Sequence, residues 1–138
     1  MSQFSGDWAA FMARIASMLR AGCDESNISS EFSGAFVTWK GKVLEKKLHE
    51  EYAQGISLEM SPGVVGLDHG KVLRGDYLFV NVSNEHREEW RDIPVGAEVV
   101  FTAKVAKAAG PFSEVQVSEV EGETELILMV GAYQGRPA

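Results

Sequence analysis

The sequence predicts a mainly β protein, a small barrel of five to six strands. An amphipathic helix lies at its N-terminus and a short helix between its third and fourth strands. Three observations carry that expectation. Hydrophobic period switches from a helical stripe over residues 8–19 to alternation from Ala35 onward. Short alternating segments are separated by glycine, proline and asparagine, the punctuation of a closed or sandwiched antiparallel sheet. And 138 residues, 45% hydrophobic and 24% charged, suit one domain (1–138) with a buried core and exclude a disordered chain.

The elements follow in order. Trp8, Phe11, Met12, Ile15, Met18 and Leu19 form one stripe, so residues 5–22 read as a helix packed on the barrel. Ser5 or Asp7 can accept from its orphan N–H groups, and Gly22 suits its left-handed end. Residues 23–34 are polar and read as a connector. In the first strand Val37, Trp39 and Val43 alternate with Phe36, Thr38, Lys40 and Lys42, and Gly41 marks a bend. A second strand is 56–60 and a third 76–82. Between Ser83 and Trp90, Glu85, Glu88 and Glu89 sit near the start of a helical turn that Trp90 anchors. A fourth strand is 98–105, and Ala109-Gly110-Pro111 is turn chemistry. A fifth strand starts at Val115 and Val117, a last one covers 126–130, and the tail 135–138 reads as frayed. The expected core is Val37, Val43, Ile56, Leu58, Leu78, Val80, Val99, Phe101, Val117 and Leu128.

Three strands, a short helix and two or three further strands, with a mid-strand glycine at Gly41 and the stretch Trp90-Arg-Asp-Ile-Pro-Val-Gly-Ala-Glu-Val-Val-Phe101 entering the fourth strand, resemble an oligonucleotide/oligosaccharide-binding (OB) barrel over residues 35–133. The resemblance is one of architecture and implies a binding module.

Catalytic and metal motifs are absent. Gly66-Leu-Asp-His-Gly70-Lys71 lacks the spacing and the Ser or Thr of a phosphate loop, and His49-Glu-Glu-Tyr-Ala53 has alanine where a zinc-protease helix needs its second histidine. Cys23 follows a helix C-terminus, where the dipole does not activate a thiol. A non-enzyme without cofactor or metal is expected. One cysteine, an N-terminus without a basic-then-apolar leader and no apolar run of about 20 residues lead to the expectation of a cytoplasmic protein with no membrane partner.

Net charge is −7, unevenly spread: residues 35–82 carry six basic and six acidic groups, residues 83–138 five and ten. The overall balance opposes indiscriminate attraction to phosphate chains, while the central third leaves room for local attraction. Alternation sends Phe36, Lys40 and Lys42 outward on the first strand and Tyr77 and Phe79 outward on the third, with Lys71 and Arg74 nearby. Rings interleaved with cations are how OB barrels hold single-stranded nucleic acid. The same rings could instead bury the stripe of the N-terminal helix. A second functional expectation is a protein-interaction module, an adaptor, inhibitor or assembly subunit. It would offer Glu119, Glu121, Glu123 and Glu125 to a basic protein, although alternating acids also serve as a plain solvated edge.

Overall fold

The computed structural model describes residues 4–48, 55–108, 114–116 and 124–138. Its order is α1 (Trp8–Arg20), α2 (Glu25–Phe32), β1 (Phe36–Lys47), β2 (Gly55–Glu59), β3 (Val64–Gly66), β4 (Lys71–Arg74), β5 (Tyr77–Asn81), a 3-10 turn (Asn84–His86) running into α3 (Arg87–Arg91), β6 (Glu98–Ala108), β7 (Glu114–Gln116), β8 (Thr124–Ile127) and β9 (Val130–Pro137). Five strands close a barrel in the order β1-β2-β5-β9-β6, and β3-β4-β8-β7 form a separate sheet. Mainly β, with short helices and one of them N-terminal, the architecture is the expected one. The closed five-strand barrel, with α3 between its third and fourth strands, is compatible with an OB-like barrel.

Barrel closure follows from the length of β1. Its first half pairs with β6, from Phe36↔Lys104 to Lys42↔Glu98. Its second half pairs with β2, from Lys42↔Glu59 to Lys47↔Gly55. One strand thereby serves both walls, and inward and outward residues alternate along it. The register slips between Val43 and Glu45, so the irregularity sits at Leu44. Gly41 has a different use: a Cβ there would lie 2.8 Å from the Met60 sulfur, so glycine lets Met60 into the core.

Of the expected core, Val37, Val43, Ile56, Leu58, Leu78, Val80, Phe101 and Leu128 are buried. Val99 is partly buried against them, and Val117 lies outside the described residues. Aromatic groups continue this core at two places. Trp90 of α3 packs near Phe101, ring centroids 6.4 Å apart, and its indole N–H donates to the Gly135 carbonyl at 3.1 Å. Trp8 and Phe11 of α1 pack on the inward-facing Trp39, with centroids at 4.9 and 4.8 Å.

Several sequence-based expectations need correction. The connector contains α2, begun by a capping box in which the Asp24 side chain accepts from the Asn27 N–H and Asn27 from the Asp24 N–H; Ile28 and Phe32 are buried, and Phe32 packs on Phe11 at 4.8 Å. The last barrel strand is Val130–Pro137: its first residues, Val130 to Ala132, pair with β5, and the segment read as a frayed tail continues it along β6 through Arg136 and Pro137. The 126–130 segment is divided: Leu126 and Ile127 end β8 (Thr124–Ile127), which pairs with β4 in the separate sheet, and Val130 begins β9; β7 pairs with β8 there. The glycine-rich segment after Met60 is a hairpin, β3 to β4, turned by His69 and Gly70 at positive φ (61° and 71°). The sequence offers Ser83 or Asn84 as the cap of the turn before α3; Ser83 makes no side-chain cap bond.

Candidate nucleic-acid interface

Register decides which outward side chains stand together. On the β1–β2–β5 wall one row runs Lys42, Glu59, Tyr77; the next runs Glu45, Ser57, Phe79; the third runs Lys47, Gly55, Asn81. Tyr77 is 49% exposed, and its hydroxyl shares a 2.7 Å hydrogen bond with Ser57 Oγ. Phe79 leans across β2: a Cβ on Gly55 would lie 2.3 Å from its Cζ. The ring rests on bare backbone, so Gly55 sets its position. Gly131 of β9 stands opposite Phe79, and the space around its Cα is open, leaving that flank of the ring without a neighbouring side chain.

Helix α1 does not cover this wall. Its buried residues Trp8, Phe11, Met12, Ile15 and Ala16 belong to the same cluster as the inward barrel residues. A helix laid on the outer wall would bury Tyr77, which stays exposed. The Trp8 indole N–H donates to the Pro62 carbonyl at 3.1 Å, and the Trp39 indole N–H to the Gly6 carbonyl at 3.1 Å. These bonds anchor the helix and the segment before it to the β1 and β2 ends.

The residues singled out from the sequence do not form one patch. Lys42, Tyr77 and Phe79 share the β1–β2–β5 wall. Phe36 and Lys40 are outward too, but on the half of β1 that pairs with β6. Phe36 is 39% exposed, and the Lys104 ammonium lies 4.8 Å from its ring centroid. Lys40 is 3.6 Å from Glu98, both well exposed, a pair worth little to stability. Lys71 and Arg74 lie on β4 of the separate sheet. There Arg74 bonds Glu125 at 2.5 Å and lies 3.8 Å from Asp76, so its charge already faces two carboxylates. Lys46 turns to the C-terminal end of α3, where its ammonium donates to the Arg91 and Ile93 carbonyls at 3.0 and 2.7 Å, a favourable place for a cation.

Sequence reading missed Tyr133. It stands opposite Lys104 and is half-buried between the buried Ala132 and the exposed Gln134. Its alternation was hidden because 126–133 reads as one apolar run. Arg136, opposite Thr102, was missed with it.

Of the acidic alternative, Glu125 is 12% exposed and engaged by Arg74; Glu119, Glu121 and Glu123 lie outside the described residues. Among the described residues no group of three His, Cys, Asp or Glu side chains is placed to hold a metal, and no helix is long and apolar enough to cross a membrane. His86 shares a 2.7 Å contact with Glu89, and His49 is outside the described residues.

No protein-family model matches the chain, and no curated protein sequence matches it either. Among solved structures, the chain is similar to the crystal structure of a candidate nucleic acid-binding lipoprotein from Klebsiella pneumoniae, with a TM-score of 0.48 and 13% sequence identity over 99% of this chain and 92% of that one.

Proposed function

We propose that this chain is a non-catalytic OB-fold module that binds single-stranded nucleic acid on the outer wall of β1, β2 and β5. The observation that carries the reading is the pair Tyr77 and Phe79. Two rings project from one strand onto a wall that α1 leaves open, with glycine rather than a side chain beneath and beside the second ring. The exposed Tyr77 and the half-buried Phe79 stand in series on one strand face, which suits stacking of successive bases, each stacked base contributing about 1–3 kcal/mol. Lys42 and Lys47 stand in the flanking rows and suit backbone phosphates. Strand order and the position of α3 support the OB assignment.

The charge distribution sets the character of this binding. Glu59 and Glu45 share the wall with the two lysines, and the chain carries a net −7. Stacking therefore supplies most of the affinity on this wall, and its contribution to the salt slope is shallow, about one or two phosphate contacts from Lys42 and Lys47.

Fluorescence titration with an oligothymidylate at two salt concentrations tests the reading. Tyr77→Ala is expected to weaken binding by about 1–3 kcal/mol, and Lys42→Ala to lower the salt slope by roughly one. Wild-type protein that binds no oligonucleotide at low salt would overturn it.

A further inference from the structure

The wall next to the proposed site carries a second aromatic and cationic row. Phe36 of β1, Lys104 of β6 and Tyr133 of β9 are consecutive partners across three adjacent strands. Thr38, Thr102 and Arg136 form a neighbouring row, and Lys40 stands opposite Val100. A cleft of about 370 Å³, lined by Phe4, Ser5, Phe36, Val37, Thr38 and Thr102, opens beside the first ring.

Two features single this row out. The first is charge. Lys104, Arg136 and Lys40 concentrate on one wall of an acidic chain. Among the described residues Lys104 touches the Phe36 ring and forms no ion pair. The acids paired with the other two, Glu89 on Arg136 at 3.2 Å and Glu98 on Lys40 at 3.6 Å, form exposed contacts that an incoming phosphate can replace. The second is continuity. β9 lies between β5 and β6 in the closed barrel, and its register places Phe79 opposite Gly131, on the strand that carries Tyr133. From Phe79 to Phe36 is three inter-strand spacings across the wall, about 14 Å, and two residues along β9, from Gly131 to Tyr133.

We infer that a single nucleic-acid strand stacked on Tyr77 and Phe79 continues across β9 onto Tyr133, Lys104 and Phe36, making the β9–β6–β1 wall a second station of the same track. This rests on the function proposed above and extends it: site size exceeds what β1, β2 and β5 alone can hold. The side-chain gap at Gly131 is where the strand crosses between the two stations. Tyr133 and Phe36 take bases, and Lys104 and Arg136 take the intervening phosphates.

The test compares oligothymidylates of about four and about twelve nucleotides, within the range that single OB barrels occupy. Each is titrated against the wild type, Lys104→Glu, Tyr133→Ala and Tyr133→Phe at low salt. Wild-type protein is expected to bind the longer oligomer more tightly. Lys104→Glu and Tyr133→Ala should each lose about tenfold for it while keeping wild-type affinity for the shorter one, and Tyr133→Phe should retain the ring and the affinity. Lys104→Glu changes a surface charge and keeps the test valid should Tyr133→Ala unfold. Short-oligomer binding with long-oligomer affinity unchanged in both variants overturns the second station and leaves the first intact. Failure of both oligomers to bind overturns the parent reading and this inference together. Displacement of the longer oligomer by polyglutamate as readily as by thymidylate overturns it in favour of an acidic protein partner.

Discussion

Trp8 and Trp39 meet edge to face, with ring centroids 4.9 Å apart and planes at 83°. One is the first residue of α1; the other is an inward residue of β1, and both are 2% exposed. The contact makes the N-terminal helix a structural part of the barrel core. Trp8→Ala is therefore expected to destabilise the whole fold by about 3–5 kcal/mol. A double-mutant cycle with Trp39→Phe, followed by chemical denaturation, should give a coupling of about 0.5–1.5 kcal/mol for the ring pair. A Trp8→Ala protein with unchanged stability would show that α1 docks independently.

Gly55 and Phe79 offer a test that separates binding from folding. A methyl group at position 55 would collide with the ring tip at 2.3–2.9 Å. The obstructing atoms are the far end of a rotatable side chain, so Phe79 swings away at modest cost, less than about 1.5 kcal/mol. Gly55→Ala should keep a near-native melting temperature while losing oligonucleotide affinity by about 1–3 kcal/mol through the displaced ring. Equal affinity of Gly55→Ala and wild type would remove Phe79 from the site.

At Gly135 the same kind of crowding is structural. An added Cβ would lie 2.0 Å from Val80 Cγ1, and Val80 is fully buried in the barrel. The Gly135 carbonyl also accepts the indole N–H of Trp90 at 3.1 Å. Gly135→Ala should therefore push β9 off β5 and lower stability by about 1–3 kcal/mol, read as a fall in the denaturant midpoint. Because β9 closes the barrel, a cleavage that removes residues after Gln134 should be more damaging still, abolishing the cooperative transition.

Arg74 and Glu125 bind the separate sheet together, the guanidinium Nε 2.5 Å from a carboxylate that is 12% exposed. Arg74→Ala leaves that mostly buried carboxylate without its charge-assisted bond, and should cost about 1–3 kcal/mol. The loss should appear first as faster amide exchange in β4 and β8, whose parallel pairing the bond spans. Uniform exchange rates in the variant would show that the sheet is held by its ladder alone.

The sequence alone determined the elements whose hydrophobic period is internal to them. The α1 stripe, the alternation of Phe36–Val43, Leu78–Val82 and Val99–Val105 and the anchor role of Trp90 were legible because each is a local pattern that a single buried face imposes. The outward direction of Lys42, Tyr77 and Phe79 was legible for the same reason.

The tertiary structure decided what depends on partners. β9 carries Gly131, Gly135 and Pro137, and Gln134 at φ 55°, residues that locally signal a tail. It becomes a strand because β5 and β6 supply ladders on both sides and Val80 accepts the bare Gly135. Strands as short as β3 and β4 exist through pairing with each other and with β8, which no local pattern encodes. The site divided for the same reason: alternation says which residues face outward, but the switch of β1 at Lys42 from β6 to β2 decides that Phe36 stands with Lys104 and Tyr133 while Lys42 stands in a row with Tyr77. Register is a property of pairs of strands distant in the chain, so only the closed barrel could assign it.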